Sequence, residues 1–135
     1  MSRQPKILIV DDVQELLDVI CEYMEIHGYT VHTTTESQEA LRLIEATKYD
    51  IIISDIHMPE MDGLELMAWI KNKHPGLPVI LITGYSVSEA RKIAMEKGAD
   101  AFFAKPVHMK EIIGVVANLL NNTKQAQQKE DKFYG

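Results

Sequence analysis

The stretch Ile7-Leu8-Ile9-Val10-Asp11-Asp12 decides the fold class. Four apolar, mostly β-branched residues form a strand, and two aspartates end it abruptly. Residues 13–27 then place Val13, Leu16, Leu17, Ile20 and Met24 at helical spacing, and Gly28 closes the stretch. A strand apolar along its whole length, followed at once by an amphipathic helix, is the opening unit of a parallel sheet covered on both faces.

The same unit recurs along the chain. Tyr29 to Thr35 alternates and is rich in Thr, so it reads as a half-buried strand, and residues 37–47 carry Ala40, Leu41 and Ile44 as a short helix. Ile51-Ile52-Ile53-Ser54 is the most apolar strand and stops at Asp55; Asp62-Gly63 marks a turn after Met58-Pro59. Leu64, Met67 and Ile70 give a third helix, closed by His74-Pro75-Gly76. Val79-Ile80-Leu81-Ile82 is a fourth strand ending at Thr83-Gly84. Ser86 with Glu89 three positions on has the form of a capping box, and Gly98 fits the far end of that helix. Ala101 to Ala104 is a fifth strand ending at Lys105-Pro106, and residues 108–120 form the last amphipathic helix. Strand and helix thus alternate five times. The expectation is an α/β fold, a five-stranded parallel sheet, doubly wound and flavodoxin-like, with right-handed crossovers. Residues 1–121 are expected to form this domain, and the polar residues 122–135 a tail or the start of a linker.

Composition bounds the function. The chain has 135 residues, 46% hydrophobic and 25% charged, which suits one soluble domain. A formal net charge of −6 argues against a surface that binds nucleic acid directly. No run approaches the ~20 apolar residues of a membrane span. The residues before Ile7 do not read as a secretory signal. Cys21 is the only cysteine, so no internal disulfide forms and the cytoplasm is the expected compartment. His27, His32, His74 and His108 show no paired metal-ligand spacing and are expected at the surface or an edge. Cys21 and Trp69 read as packing residues, and Met58 and Met61 as closing the loop after Asp55 over the core.

Three strands end in acid or hydroxyl residues and a fourth ends in a lysine. In an open parallel sheet the carboxyl ends of the strands share one edge, where ligands bind. Asp11, Asp12, Asp55, Thr83 and Lys105 are therefore expected to converge there. Carboxylates ~4 Å apart repel by about 4 kcal/mol at an effective dielectric of 20. Such a cluster raises the pKa of one member or takes up a cation, and Mg²⁺ suits oxygen ligands beside a phosphate. A lysine and a hydroxyl around an exposed carboxylate suit phosphoryl transfer to it. Each residue alone has a plainer reading: Asp12 as a helix cap, Thr83 as a local strand end, Lys105 as a solvated loop residue.

Taken together, Asp11-Asp12, Asp55-Ile56-His57-Met58-Pro59, Asp62-Gly63, Thr83-Gly84, Gly98-Ala99-Asp100 and Lys105-Pro106 resemble the receiver domain of two-component response regulators, from about Lys6 to Leu120. The resemblance implies that Asp55 accepts a phosphoryl group from a phosphohistidine on a sensor histidine kinase or phosphotransfer protein. It implies that Asp11, Asp12, Asp55 and the backbone carbonyl of His57 hold Mg²⁺, while Thr83 turns toward the phosphoryl group and Lys105 pairs with it. It further implies a switch through Thr83 and the aromatic Phe102, read by a downstream protein or a fused effector domain. On this reading the chain is a regulator rather than an enzyme, acting at most on its own aspartyl phosphate.

Several positions depart from the family pattern. Thr35-Glu36-Ser37-Gln38 lacks the Asn-Gly often found before the second helix, and Ser37 is expected to cap that helix instead. Phe102 has no hydroxyl to exchange hydrogen bonds as it moves. His57 and Tyr85 flank the path of the hydrolytic water, and a bulky Tyr85 is expected to shield the phosphoryl group and slow its loss. Other readings compete less well. A flavodoxin-like cofactor binder needs a phosphate cradle where Asp11 and Asp12 stand. An aspartate-nucleophile phosphatase needs a second Asp where His57 stands. A receiver-like interaction module that is never phosphorylated is the alternative.

Overall fold

In the computed structural model, residues 4–85 and 87–134 are described, residues 123–134 by backbone alone. Strand β1 (Lys6–Val10) shows how the sequence divides the interior. Successive side chains point to opposite faces. Ile7 and Ile9 enter one core, Leu8 and Val10 the other. Strands β3 (Ile51–Asp55) and β4 (Val79–Thr83) are buried at every position, as strands covered on both faces must be.

Strand β2 (Thr30–Thr34) lies at one edge and β5 (Ala101–Ala104) at the other, giving the parallel order β2-β1-β3-β4-β5. Helices α1 (Gln14–Ile26) and α5 (Met109–Tyr134) cover one face: Leu17, Ile20 and Met24 of α1 meet Ile112 and Val116 of α5. The other face carries α2 (Ser37–Ala46), α3 (Gly63–Lys73) and α4 (Val87–Glu96), through Ala40, Ile44, Leu66, Met67, Ile70 and Ala94. This is the expected doubly wound, flavodoxin-like α/β sheet. Its order reverses between β1 and β3, where such sheets open a crevice at their carboxyl ends. Asp11 follows β1 and Asp55 ends β3, so the topology brings the two acids to one place.

The local signals worked where their chemistry is local. Gly28 has φ +92° and its N–H donates to the Glu25 carbonyl at 3.0 Å, which ends α1 as expected. Asp62-Gly63 starts α3 rather than standing apart as a turn. The Asp62 carboxylate accepts from the Glu65 N–H at 2.8 Å, and Glu65 reciprocates toward the Asp62 N–H at 3.4 Å. Ser37 does not cap α2. The cap position is Glu36, without a side-chain cap, and the Ser37 hydroxyl donates instead to the Met61 carbonyl at 2.6 Å. The plainer reading of Asp12 also lapses, because the cap position of α1 is Val13, without a side-chain cap. The capping box expected at Ser86 lies outside the described residues. Helix α5 extends to Tyr134, well beyond the expected end at 120, so the boundary expected at 121 falls inside a helix. Residues 122–134 contain no Gly or Pro and are rich in Gln and Lys, so the backbone continues the helix without an apolar face to anchor it.

Candidate functional site

Each site residue stands where its strand ends. Asp11 follows β1 and is 2% exposed, and Asp55 at the end of β3 is 4% exposed. Thr83 closes β4 fully buried. Lys105 follows β5, where its N–H donates to the Thr83 carbonyl at 2.8 Å and extends the sheet pairing by one step. Asp12 and His57 are exposed at the rim.

The charges meet in the centre. Lys105 Nζ lies 3.0 Å from Asp55 Oδ2 and 3.0 Å from Asp11 Oδ2. The His57 N–H donates to Asp55 Oδ1 at 3.3 Å, and the Val13 N–H to Asp11 Oδ1 at 2.9 Å. Burial pushes the Asp55 carboxyl above its ordinary value. The Lys105 hydrogen bond opposes this, the Asp11 charge adds to it, and the net direction is upward. Burial works against the Lys105 charge as well, but its bonds to Asp11 and Asp55 outweigh that and raise its pKa. One ammonium thus serves two buried carboxylates, with a third beside them.

The arrangement fits a hard divalent cation. One oxygen from each of Asp11, Asp12 and Asp55 lies within 4.8 Å of the others. Asp11 Oδ2 is buried and has no hydrogen-bond partner of good geometry among the described residues, despite the nearby ammonium. The ion pair with Lys105 leaves that oxygen with lone pairs to spare, which an oxygen-seeking cation can take up.

The loop from Ile56 to Asp62 walls this pocket. Its base is closed by the Gly63 N–H donating to the Ile56 carbonyl at 2.8 Å. A Cβ on Gly63 would overlap the Asp55 carbonyl oxygen, so only glycine lets α3 start this close to the strand end. Met58 and Met61 pack against the core, as expected for the residues that close the loop. On the opposite wall Tyr85, 68% exposed, meets the His57 ring edge-on with centroids 5.0 Å apart. The Thr83 hydroxyl is engaged locally: Oγ1 accepts from the Tyr85 N–H at 3.2 Å and donates to the Tyr85 carbonyl at 3.4 Å.

Phe102 is 6% exposed on β5, paired in register with Leu81. The Arg91 guanidinium of α4 covers its ring at 5.4 Å, a contact no sequence pattern announced. His27, His32 and His108 are exposed, as expected. His74 is half-buried, with Nε2 enclosed and its ring against Trp69. Cys21 is half-buried, and burial with its Glu25 contact raises its thiol pKa to about 11, so it stays a thiol.

Carboxylates, a lysine and a strand-end threonine thus share one crevice at the carboxyl edge of a doubly wound sheet. The sequence matches the response regulator receiver domain over residues 7–117, and the chain belongs to that family of two-component signal transduction proteins. Transcriptional regulatory protein GlrR of Escherichia coli is 34% identical over 127 residues, which are 93% of this chain and 29% of that protein. Response regulator SaeR of Staphylococcus aureus is 34% identical over 119 residues, 88% of this chain and 52% of that protein. The chain therefore spans between 29% and 52% of these relatives' lengths. A receiver domain protein from Clostridium thermocellum superposes with a TM-score of 0.85 at 32% identity, over 90% of this chain and 98% of that one. A CheY-like receiver domain protein from Methanospirillum hungatei gives 0.86 at 31% identity, over 91% and 98%. No helix among the described residues is long and apolar enough to cross a membrane.

Proposed function

We propose that the chain is a phosphoacceptor switch in which Asp55 takes a phosphoryl group from a phosphohistidine of a sensor kinase or phosphotransfer protein. The observation that carries this reading is the Asp55 carboxylate itself, held by Lys105 Nζ at 3.0 Å beside two further carboxylates. An Asp55 oxygen attacks phosphorus; the new P–O bond forms as the P–N bond breaks, and the imidazole leaves. Asp11, Asp12, Asp55 and the His57 carbonyl would hold Mg²⁺, which when bound offsets the charge of the incoming phosphoryl oxygens. Lys105 is free to follow the new negative charge, because it already spans Asp11 and Asp55.

Thr83 must give up Tyr85 to reach the phosphoryl group, since its hydroxyl is spent on the Tyr85 backbone. That exchange draws on the loop into α4. Phe102 lies in the adjacent strand beneath Arg91 and repacks in response, altering the α4–β5–α5 surface. Residues 122–135 then serve as the start of a linker to an effector domain, or as the tail of a domain that docks to a partner. The GlrR and SaeR relatives, each longer than this chain, favour the fused form. Kinase contact and output would take place in the cytoplasm, without direct nucleic-acid binding by this domain.

The test is incubation with a small-molecule phosphodonor, with Mg²⁺ and with chelator, followed by intact mass. A Mg²⁺-dependent gain of one phosphoryl group supports the reading. No gain under any condition favours the inert interaction module.

A further inference from the structure

The hydroxyl of Ser37 makes a contact that nothing in its own helix requires. Ser37 is the first residue of α2 and is 4% exposed, yet it contributes no cap to that helix. Its Oγ donates across to the Met61 carbonyl at 2.6 Å and lies 4.0 Å from Met58 Sδ. Both partners belong to the loop between β3 and α3. One residue before Met61, Glu60 holds φ +67°, a left-handed conformation that non-glycine residues keep only where their surroundings hold it.

The loop is fixed at its base by backbone bonds and tied at its crest by a side chain. Ile56 is fixed by its N–H to the Ile82 carbonyl at 2.9 Å and by its carbonyl to the Gly63 N–H at 2.8 Å. Between these anchors stand His57 to Asp62. Ser37 supplies the side-chain tie from α2 to the crest of that span. The turn that carries Ser37 is itself braced to the acid pair, because the Asp11 N–H donates to the Thr34 carbonyl at 3.2 Å and Thr34 Oγ1 accepts from the Glu36 N–H at 3.1 Å. One short segment, Thr34 to Ser37, therefore touches both the strand end that bears Asp11 and the loop that bears the His57 carbonyl.

We infer that Ser37 is a positioning residue for the cation site: its hydroxyl sets the β3–α3 loop so that the His57 carbonyl stands at a fixed separation from Asp11 and Asp55. This rests on the proposed phosphoacceptor reading and adds a residue to it. Ser37 touches neither phosphoryl group nor cation. It acts by removing freedom from a ligand-bearing loop, so its effect belongs to cation affinity and not to the transfer step once the cation is bound.

The experiment titrates Mg²⁺ into the full chain by calorimetry for the wild type, Ser37→Ala and Ser37→Thr, and then measures phosphodonor uptake at saturating Mg²⁺. Alanine is at ease in the first turn of a helix, and a cooperative melt confirms that each variant is folded. Ser37→Ala should weaken Mg²⁺ binding about fivefold, the fold-change matching the usual net worth of one hydrogen bond. Ser37→Thr, which keeps the hydroxyl, should stay nearer the wild type, and at saturating Mg²⁺ all three should take up phosphoryl at similar rates. Equal Mg²⁺ affinity in Ser37→Ala and a phosphorylated wild type overturns the inference alone. Equal losses in Ser37→Ala and Ser37→Thr assign the effect to packing and overturn it too. A wild type that binds no Mg²⁺ and gains no phosphoryl group overturns the phosphoacceptor reading first, and this inference with it.

Discussion

The ring of His57 meets the ring of Tyr85 edge-on, with centroids 5.0 Å apart and planes at 89°. The two residues stand on opposite walls of the acidic crevice, two positions beyond Asp55 and Thr83 respectively. An edge-to-face pair of this kind is worth roughly 0.5–1.5 kcal/mol. On the proposed phosphoacceptor reading, the pair shields an aspartyl phosphate at Asp55 from the hydrolytic water. Tyr85→Ala should therefore speed loss of the phosphoryl group by about tenfold, which is about 1.4 kcal/mol of barrier. The check is the decay of the phosphorylated mass after the donor is removed. A wild-type half-life of seconds, or an unchanged rate in the variant, would remove the shield from the explanation.

Lys105 holds Asp11 and Asp55 together, with Nζ 3.0 Å from each. Lys105→Met leaves two buried carboxylates facing each other without a counter-charge. In the absence of divalent cation the variant should lose about 1.5–3 kcal/mol of stability, the scale of bonds to charged groups. Added Mg²⁺ should recover a larger share of stability in the variant than in the wild type. Denaturant melts with and without Mg²⁺ measure both.

Asp55 carries a pH signature whose sign is fixed by burial. Its pKa in the folded protein is raised, by burial first, against the Lys105 bond. In the unfolded chain it titrates near about 3.9. Between those two values the folded state binds more protons, so stability falls as pH rises through that window, and the deficit persists above it. Asp55→Asn lifts the deficit. The variant should be more stable than the wild type at neutral pH. The difference should shrink as pH falls from the raised folded value toward about 4, and be absent below that. Melts across the pH range in chelator test this, and a variant less stable at neutral pH would contradict it.

Gly63 is where α3 starts against the Asp55 carbonyl. Gly63→Ala places a Cβ into that oxygen, and the obstacle is backbone, which cannot swing aside. The substitution should cost about 2–4 kcal/mol, in the upper range for single changes. It should also reduce phosphoryl uptake, because the displaced backbone is that of Asp55, the proposed acceptor. Gly28→Ala carries no such overlap, only a strained φ, and should spare uptake.

The fold was legible because its signals are local and repeated. Ile7 to Val10, Ile51 to Ser54 and Val79 to Ile82 are apolar at every position, which only a strand covered on both faces requires. The convergence of Asp11, Asp12, Asp55 and Lys105 followed from strand ends and sheet order alone. What escaped depends on contacts across the chain. Ser37 reads as a cap by its position, and only the loop folded over it, 24 residues later, shows where the hydroxyl goes. The Arg91 cover over Phe102 has the same origin, since α4 and β5 meet through packing that no spacing encodes. The length of α5 escaped for a different reason. A polar helix without an apolar stripe leaves no periodic trace.

Intact mass of the wild type and of Asp55→Asn, each exposed to a small-molecule phosphodonor with Mg²⁺, bears most directly on what this protein does. The wild type should gain a single phosphoryl group that chelator prevents, and Asp55→Asn should gain none. An equal gain in the variant would place the phosphoryl group elsewhere, and no gain in the wild type would contradict the phosphoacceptor function altogether.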